Sequence, residues 1–175
     1  MSTNPLCDLP LIENGADIEG IGRLVMAFQY IESELLRIVI GSCMPGKQRA
    51  VAILASQLSF RKLVCAFSGI VTGLSSDTTL TKRAGKVARQ LLKIEESRNR
   101  FVHSHYEVMS MSLRGQAILR RKNNLTFKNG YINKEEWFSP EEIDSLVEDI
   151  TTTAHIMHEI EYGMISDGIM PNIDD

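Results

Sequence analysis

The chain has 175 residues, 43% of them hydrophobic and 23% charged, with a formal net charge of −3. This is the composition of a globular domain with enough sequence for one core, and no low-complexity tract or internal repeat interrupts it. No apolar run reaches bilayer length and no basic-then-apolar leader opens the sequence, so the expectation is a cytoplasmic protein with no membrane contact.

Charge is unevenly distributed. Between Lys47 and Lys134 there are seventeen basic residues and four acids, an excess of thirteen, whereas from Glu135 onward there are acids and no Lys or Arg. Such a basic middle either attracts a polyanion, including RNA, or packs against the acidic ends and is neutralised by them. Cys7, Cys43 and Cys65 are odd in number and lack metal-type spacing, which points to a reducing compartment and to buried apolar thiols.

In chain order, residues 1–16 carry Pro5, Pro10 and the pair Asn14-Gly15 and read as a loose lead-in. Asp17 is placed to cap a first helix whose apolar stripe is Ile21, Leu24, Val25, Phe28, Ile31, Leu35, Ile38 and Val39. Gly41 and the turn Met44-Pro45-Gly46 stop it. Ala50–Leu58 suggests a short helix. Ser59 then caps a second main helix with the stripe Leu63, Val64, Phe67, Ile70, Val71 and Leu74, closed by Gly73 and Ser75-Ser76-Asp77. A third long helix starts near Thr79 and carries Ala84, Val87, Ala88, Leu91, Ile94, Arg98, Phe101 and Val102 in one phase. Arg98 in an apolar phase points to a partner or a desolvated cleft.

From His105 to about Trp137 the helical period is lost, and short β-prone runs with an Asn129-Gly130 turn replace it. Ser139-Pro140-Glu141-Glu142 is a capping box with Pro at the first helical position. It opens a final helix carrying Ile143, Leu146, Val147, Ile150, Ala154, Met157 and Ile160, with Gly163 as its expected end. These elements predict a mainly α fold: an antiparallel four-helix up-and-down bundle with a small strand-rich insert between the third and fourth main helices. Residues 17–164 form the single domain and residues 165–175 an acidic flexible tail.

The chemistry concentrates in Arg98-Asn99-Arg100-Phe101-Val102-His103-Ser104-His105-Tyr106. Arginine presents a fork of donors to phosphate and histidine moves a proton near neutral pH, so the two together suit phosphoryl transfer. The spacing Arg98-Asn99-x-x-x-His103, at the end of a late helix in a four-helix plan, resembles the HEPN superfamily, whose small helical bundles carry an Arg-x4-6-His motif with a polar residue after the arginine.

The resemblance covers the helical plan from about Asp17 to Gly163, and it implies a metal-independent endoribonuclease without a cofactor. Arg98 would stabilise the charged phosphorane, Asn99 would orient the partners, and His103 would serve as general base or acid. The RNA 2′-hydroxyl would attack the adjacent phosphate and leave a 2′,3′-cyclic phosphate. It further implies a homodimer whose cleft lies between two copies, and a toxin–antitoxin or phage-defence setting with a cognate protein inhibitor. Some members bind without cutting, so a noncatalytic binding or dimerisation module is the alternative.

Arg100 to His105 and Arg98 to His105 are competing frames, which makes Arg100, His105 and Tyr106 supporting candidates. Tyr106 does not match the Arg-x4-His-x-Tyr pattern of one branch and takes no modification role. The pairs His103-x-His105 and His155-x-x-His158 raise a metal site as a separate idea, with no motif joining them. Read without the resemblance, the motif is an amphipathic helix end, with Arg98 paired to an acid such as Glu95 and His103 near the C-terminal dipole.

Overall fold

The computed structural model describes residues 15–43, 47–102, 105–109, 117–126 and 130–171; for the strand residues it describes the backbone alone. The five helices are α1 (Gly15–Gly41), α2 (Gln48–Ala55), α3 (Phe60–Leu74), α4 (Thr78–Val102) and α5 (Pro140–Ser166). The expected four-helix up-and-down bundle is therefore not what forms. Helix α2 is a helix in its own right, and the directions of the long helices also differ.

Pairs between α1 and α5 rise together along both chains. Gly20 lies beside Ile143, Arg23 bonds Asp144 at 2.8 Å, Arg37 bonds Glu161, and Gly41 meets Met170. The two helices thus run parallel, where an up-and-down bundle has its first and last helices antiparallel. Helix α4 opposes both α3 and α5: Arg61 reaches Glu95 at 3.3 Å, and Arg83 pairs with Glu159. The physical cause is the stretch from Ser42 to Ser59, which carries α2 and returns the chain far enough for α3 to start level with the middle of α1. There the Phe28 and Phe60 rings meet at 4.7 Å.

Between α4 and α5 lie the strands β1 (His105–Met109), β2 (Ala117–Thr126) and β3 (Gly130–Phe138), paired antiparallel in the order β1-β2-β3. His105 is opposite Arg121, and Ile118 is opposite both Val108 and Phe138.

The core follows from the helical stripes. Leu24, Phe28, Ile31, Leu35 and Ile38 of α1 meet Leu63, Val64, Phe67 and Val71 of α3, Ala84, Leu91 and Ile94 of α4, and Ile143, Ile150, Met157 and Ile160 of α5, all buried. Each buried Leu, Val, Ile, Phe or Met among them contributes roughly 1.5–3 kcal/mol of transfer free energy, which makes this stripe the main stabilising term.

The ends of the helices depart from expectation in two places. Helix α1 already runs from Gly15, so Asp17 lies inside it and is not its cap. Gly163 does not end α5, which continues to Ser166. A Cβ at Gly163 would stand 2.8 Å from Leu80 Cδ1, so this glycine permits the close approach of α4 and α5. The stop is Gly168, at φ +71°, where the Ile169 and Met170 amides turn back to the Met164 carbonyl at 2.9 and 3.3 Å. The capping box at the head of α5 forms, with the Ser139 amide donating to Glu142 Oε2 at 2.9 Å.

One polar cluster sits in the α1–α5 seam. Arg37 donates through Nη1 and Nη2 to both carboxylate oxygens of Glu161, the Nη2 contact being 2.6 Å, and it also holds Glu34 at 2.8 Å. Burial pushes the Glu161 carboxyl up, but hydrogen bonding and charge from Arg37, and then from His158, outweigh it and hold the group below its ordinary value of 4.5. Hydrogen bonding to Glu161 first, and then to Glu34, raises Arg37 above its ordinary value against the opposing effect of burial.

Replacing Glu161 with Gln is expected to cost about 2–3 kcal/mol in urea unfolding, the scale of a charged hydrogen-bonded group left with poorer partners. A depressed folded pKa stabilises the protein above the unfolded value and is lost as pH falls through the folded value. The gap between wild type and Glu161→Gln should therefore be full at neutral pH and close below about pH 4.5.

Candidate functional site

Arg98, Asn99 and Arg100 lie in the last two turns of α4, at the end of the bundle where α5 begins. Helix α3 starts at Phe60 and does not extend past this level, so α1 and α4 face each other here without a third helix between them. Arg98 enters that corner. Its Cζ lies 4.7 Å from the centre of the Phe28 ring, and its Nη1 donates to Asn99 Oδ1 at 3.1 Å. A guanidinium over an aromatic face is stabilised by the ring quadrupole. Its Nε is buried and has no hydrogen-bond partner among the described residues.

The apolar phase of Arg98 thus has a concrete cause, because it lies over the Phe28 ring, which packs in turn against Phe60. The expected pairing with Glu95 is not formed; Glu95 accepts from Arg61 of α3 at 3.3 Å instead. Arg100 borders a small hollow of about 250 Å³ with Ser97, Phe101, Glu142, Ser145 and Asp149.

His103 lies outside the described residues. His105 and Tyr106 are backbone members of β1, opposite Arg121 and Arg120. The structure therefore brings Arg98 and Asn99 together, while the Arg98–His103 and Arg100–His105 distances stay outside what it describes.

Among the described residues no group of three or more His, Cys, Asp or Glu is arranged to hold a metal ion. Of the second histidine pair, His155 is exposed, and His158 faces Tyr30 Oη at 3.3 Å and Glu161 at 3.4 Å, so its nitrogens are engaged with α1 and with its own helix.

Two further features were readable as residues but not as sites. The first is the network Tyr30, Glu34, Arg37, His158 and Glu161, hinted at only by the three-residue spacings Glu34–Arg37 and His158–Glu161. The second is a ridge along α4. Lys82, Lys86, Arg89 and Lys93 are spaced by four, three and four residues, are all exposed, and have no ion-pair partner among the described residues. On a helix that spacing is one face. It spans about 16 Å at 1.5 Å per residue. Beside it, between α4 and α5, a groove of about 480 Å³ has Val87 and Ile156 as its apolar lining and Arg83, Lys86, Gln90 and Asp149 as its charged and polar lining.

Comparison with models of protein families, with curated proteins and with solved structures finds no match to this chain.

Arg98→Met keeps the stem and removes the cation. It is expected to lower stability by about 1 kcal/mol through loss of the Phe28 contact. Phe28→Leu in the Arg98→Met background should cost less than in wild type, and a double-mutant cycle in urea checks this coupling.

Proposed function

We propose that this chain is a noncatalytic helical-bundle binding module whose ligand is the backbone of a polyanion, with RNA as the partner. The observation that carries the reading is the α4 ridge of Lys82, Lys86, Arg89 and Lys93, four exposed cations in one row without a carboxylate partner among the described residues. Among the described residues no ion pair joins this row to the acidic final helix, although Lys86 and Asp149 line the same groove. Of the α4 cations, Arg83 pairs with α5 through Glu159, and it lies to the side of the ridge. A row of like charges costs self-repulsion in the free protein, and that cost is relieved when phosphates replace counterions.

A second reading is the HEPN-like metal-independent ribonuclease with Arg98, Asn99 and His103 as its catalytic residues. It is favoured by the buried Arg98 Nε, a donor without an acceptor among the described residues. In that reading Arg98 would meet the charge that develops on the phosphorane, and His103 would carry the proton.

Fluorescence anisotropy with labelled single-stranded RNA separates success from failure of the binding reading. Four phosphate contacts predict that log Kd rises by about 3 per tenfold increase in salt, at roughly 0.7 per contact. A Lys86→Glu/Arg89→Glu/Lys93→Glu variant should bind at least tenfold more weakly and with a shallower salt slope. Absence of binding at low salt across RNA sequences rejects the proposal. The same RNA, incubated without metal and analysed for 2′,3′-cyclic phosphate ends, decides the second reading: cleavage abolished in folded Arg98→Ala and His103→Ala variants establishes it.

A further inference from the structure

The groove between α4 and α5 adjoins the basic ridge, and Lys86 belongs to both. Its two walls differ in chemistry. Helix α4 contributes Lys86 and Gln90, α5 contributes Asp149 and Thr152, and Val87 and Ile156 supply an apolar surface between them. Arg83, which also lines the groove, is engaged by Glu159. The side chains of Lys86, Gln90, Asp149 and Thr152 have no hydrogen-bond or ion-pair partner among the described residues. Lys86 and Asp149 thus border one hollow of about 480 Å³ without closing on each other. That volume lies within the range of small-ligand pockets.

The carboxylate sets a condition on the occupant. It opposes phosphate, so a surface that reads only a nucleic-acid backbone gains nothing from it. It accepts hydrogen bonds and donates none, whereas a lysine donates and accepts none. A fitting occupant therefore turns donors toward Asp149, an acceptor toward Lys86 and Gln90, and an apolar face toward Val87 and Ile156. Among the RNA bases guanine alone carries two adjacent donors, N1–H and the 2-amino group, with the acceptors O6 and N7 beside them. The pairing edges of adenine, cytosine and uracil each offer one donor group next to acceptors that a carboxylate repels.

We propose, on the reading of the ridge as an RNA surface, that this groove takes an unpaired guanine base from the strand whose phosphates lie along α4. Asp149 accepts from N1–H and the 2-amino group, and Lys86 or Gln90 donates to O6. Unpaired RNA bases turned out of a strand are read in this way, along their edges and between apolar side chains. The ridge supplies affinity for any sequence, and Asp149 supplies the preference for guanine.

NMR titration of protein labelled at its Val and Ile methyl groups with GMP, IMP, AMP, CMP and UMP tests the groove without RNA. IMP is GMP without the 2-amino group. GMP is expected to move the Val87 and Ile156 methyl resonances and to bind at least about fivefold more tightly than the other four. Asp149→Ala, a good helix former at an exposed position, should keep the fold and abolish the difference between GMP and IMP. Glu148→Gln removes the same charge from a neighbouring exposed residue outside the groove and should leave that difference intact. In fluorescence anisotropy, an oligouridine with one central guanine should bind about tenfold more tightly than the same strand with adenine there. Asp149→Ala should bring that ratio to one; the ratio is the readout, because loss of a carboxylate beside the ridge strengthens binding of every RNA. No methyl shift with GMP, equal affinity for GMP and IMP, or a preference that survives Asp149→Ala each overturns the guanine site. RNA bound without preference for guanine also overturns it and leaves the ridge standing. GMP seated in the groove of a protein that binds no RNA overturns the ridge reading, and with it RNA as the source of the base.

Discussion

The bundle depends on the parallel contact between α1 and α5, and the Arg37–Glu161 pair sets its register. Glu161 is 6% exposed and accepts two hydrogen bonds from one guanidinium. Desolvating such a pair costs much of what its attraction returns, so the driving force for contact is the apolar stripe around it. What the pair adds is discrimination. Sliding α5 by one turn along α1 would still bury leucines and isoleucines, but it would leave a carboxylate buried without its cation. Hydrophobic burial alone does not distinguish those registers, and an unpaired buried charge does.

From this contact the other features follow in space. With α1 and α5 parallel, the chain needs a return path after α1, and the segment holding α2 supplies it. That return brings α3 in halfway along α1, at the Phe28–Phe60 contact. The short α3 in turn leaves the corner where the last two turns of α4 face α1, and Arg98 lies over Phe28 there. Helix α4 is held on one side by α3 and on the other by α5, so its remaining face, the basic ridge, points away from the core. The candidate anion surface and the ion-paired α1–α5 seam thus lie on different flanks of the same bundle.

The two functional readings use different consequences of the same packing. The ridge needs only exposure and like charge, both of which follow from the position of α4. Catalysis needs a third group at hydrogen-bond distance from Arg98 and from a phosphate. The nearest described partners of Arg98 are an aromatic ring and Asn99, which make a positioned cation and supply no proton carrier.

The sequence by itself determined the elements whose cause is local. The stripe Leu24, Phe28, Ile31, Leu35 and Ile38 is a buried helix face because period and polarity agree over several turns. The capping box Ser139-Pro140-Glu141-Glu142 opens α5 because its donors and acceptors lie within one turn. Only the tertiary structure decided the direction of the helices, since parallel and antiparallel pairs bury identical stripes. It also decided that Gly163 is a packing glycine under Leu80 and not a helix end, because a glycine has the same sequence signature in both roles. Likewise, the phase of Arg98 was visible along the chain, but its partner was not. Phe28 lies seventy residues away, and Arg61 had already taken the acid that seemed nearest.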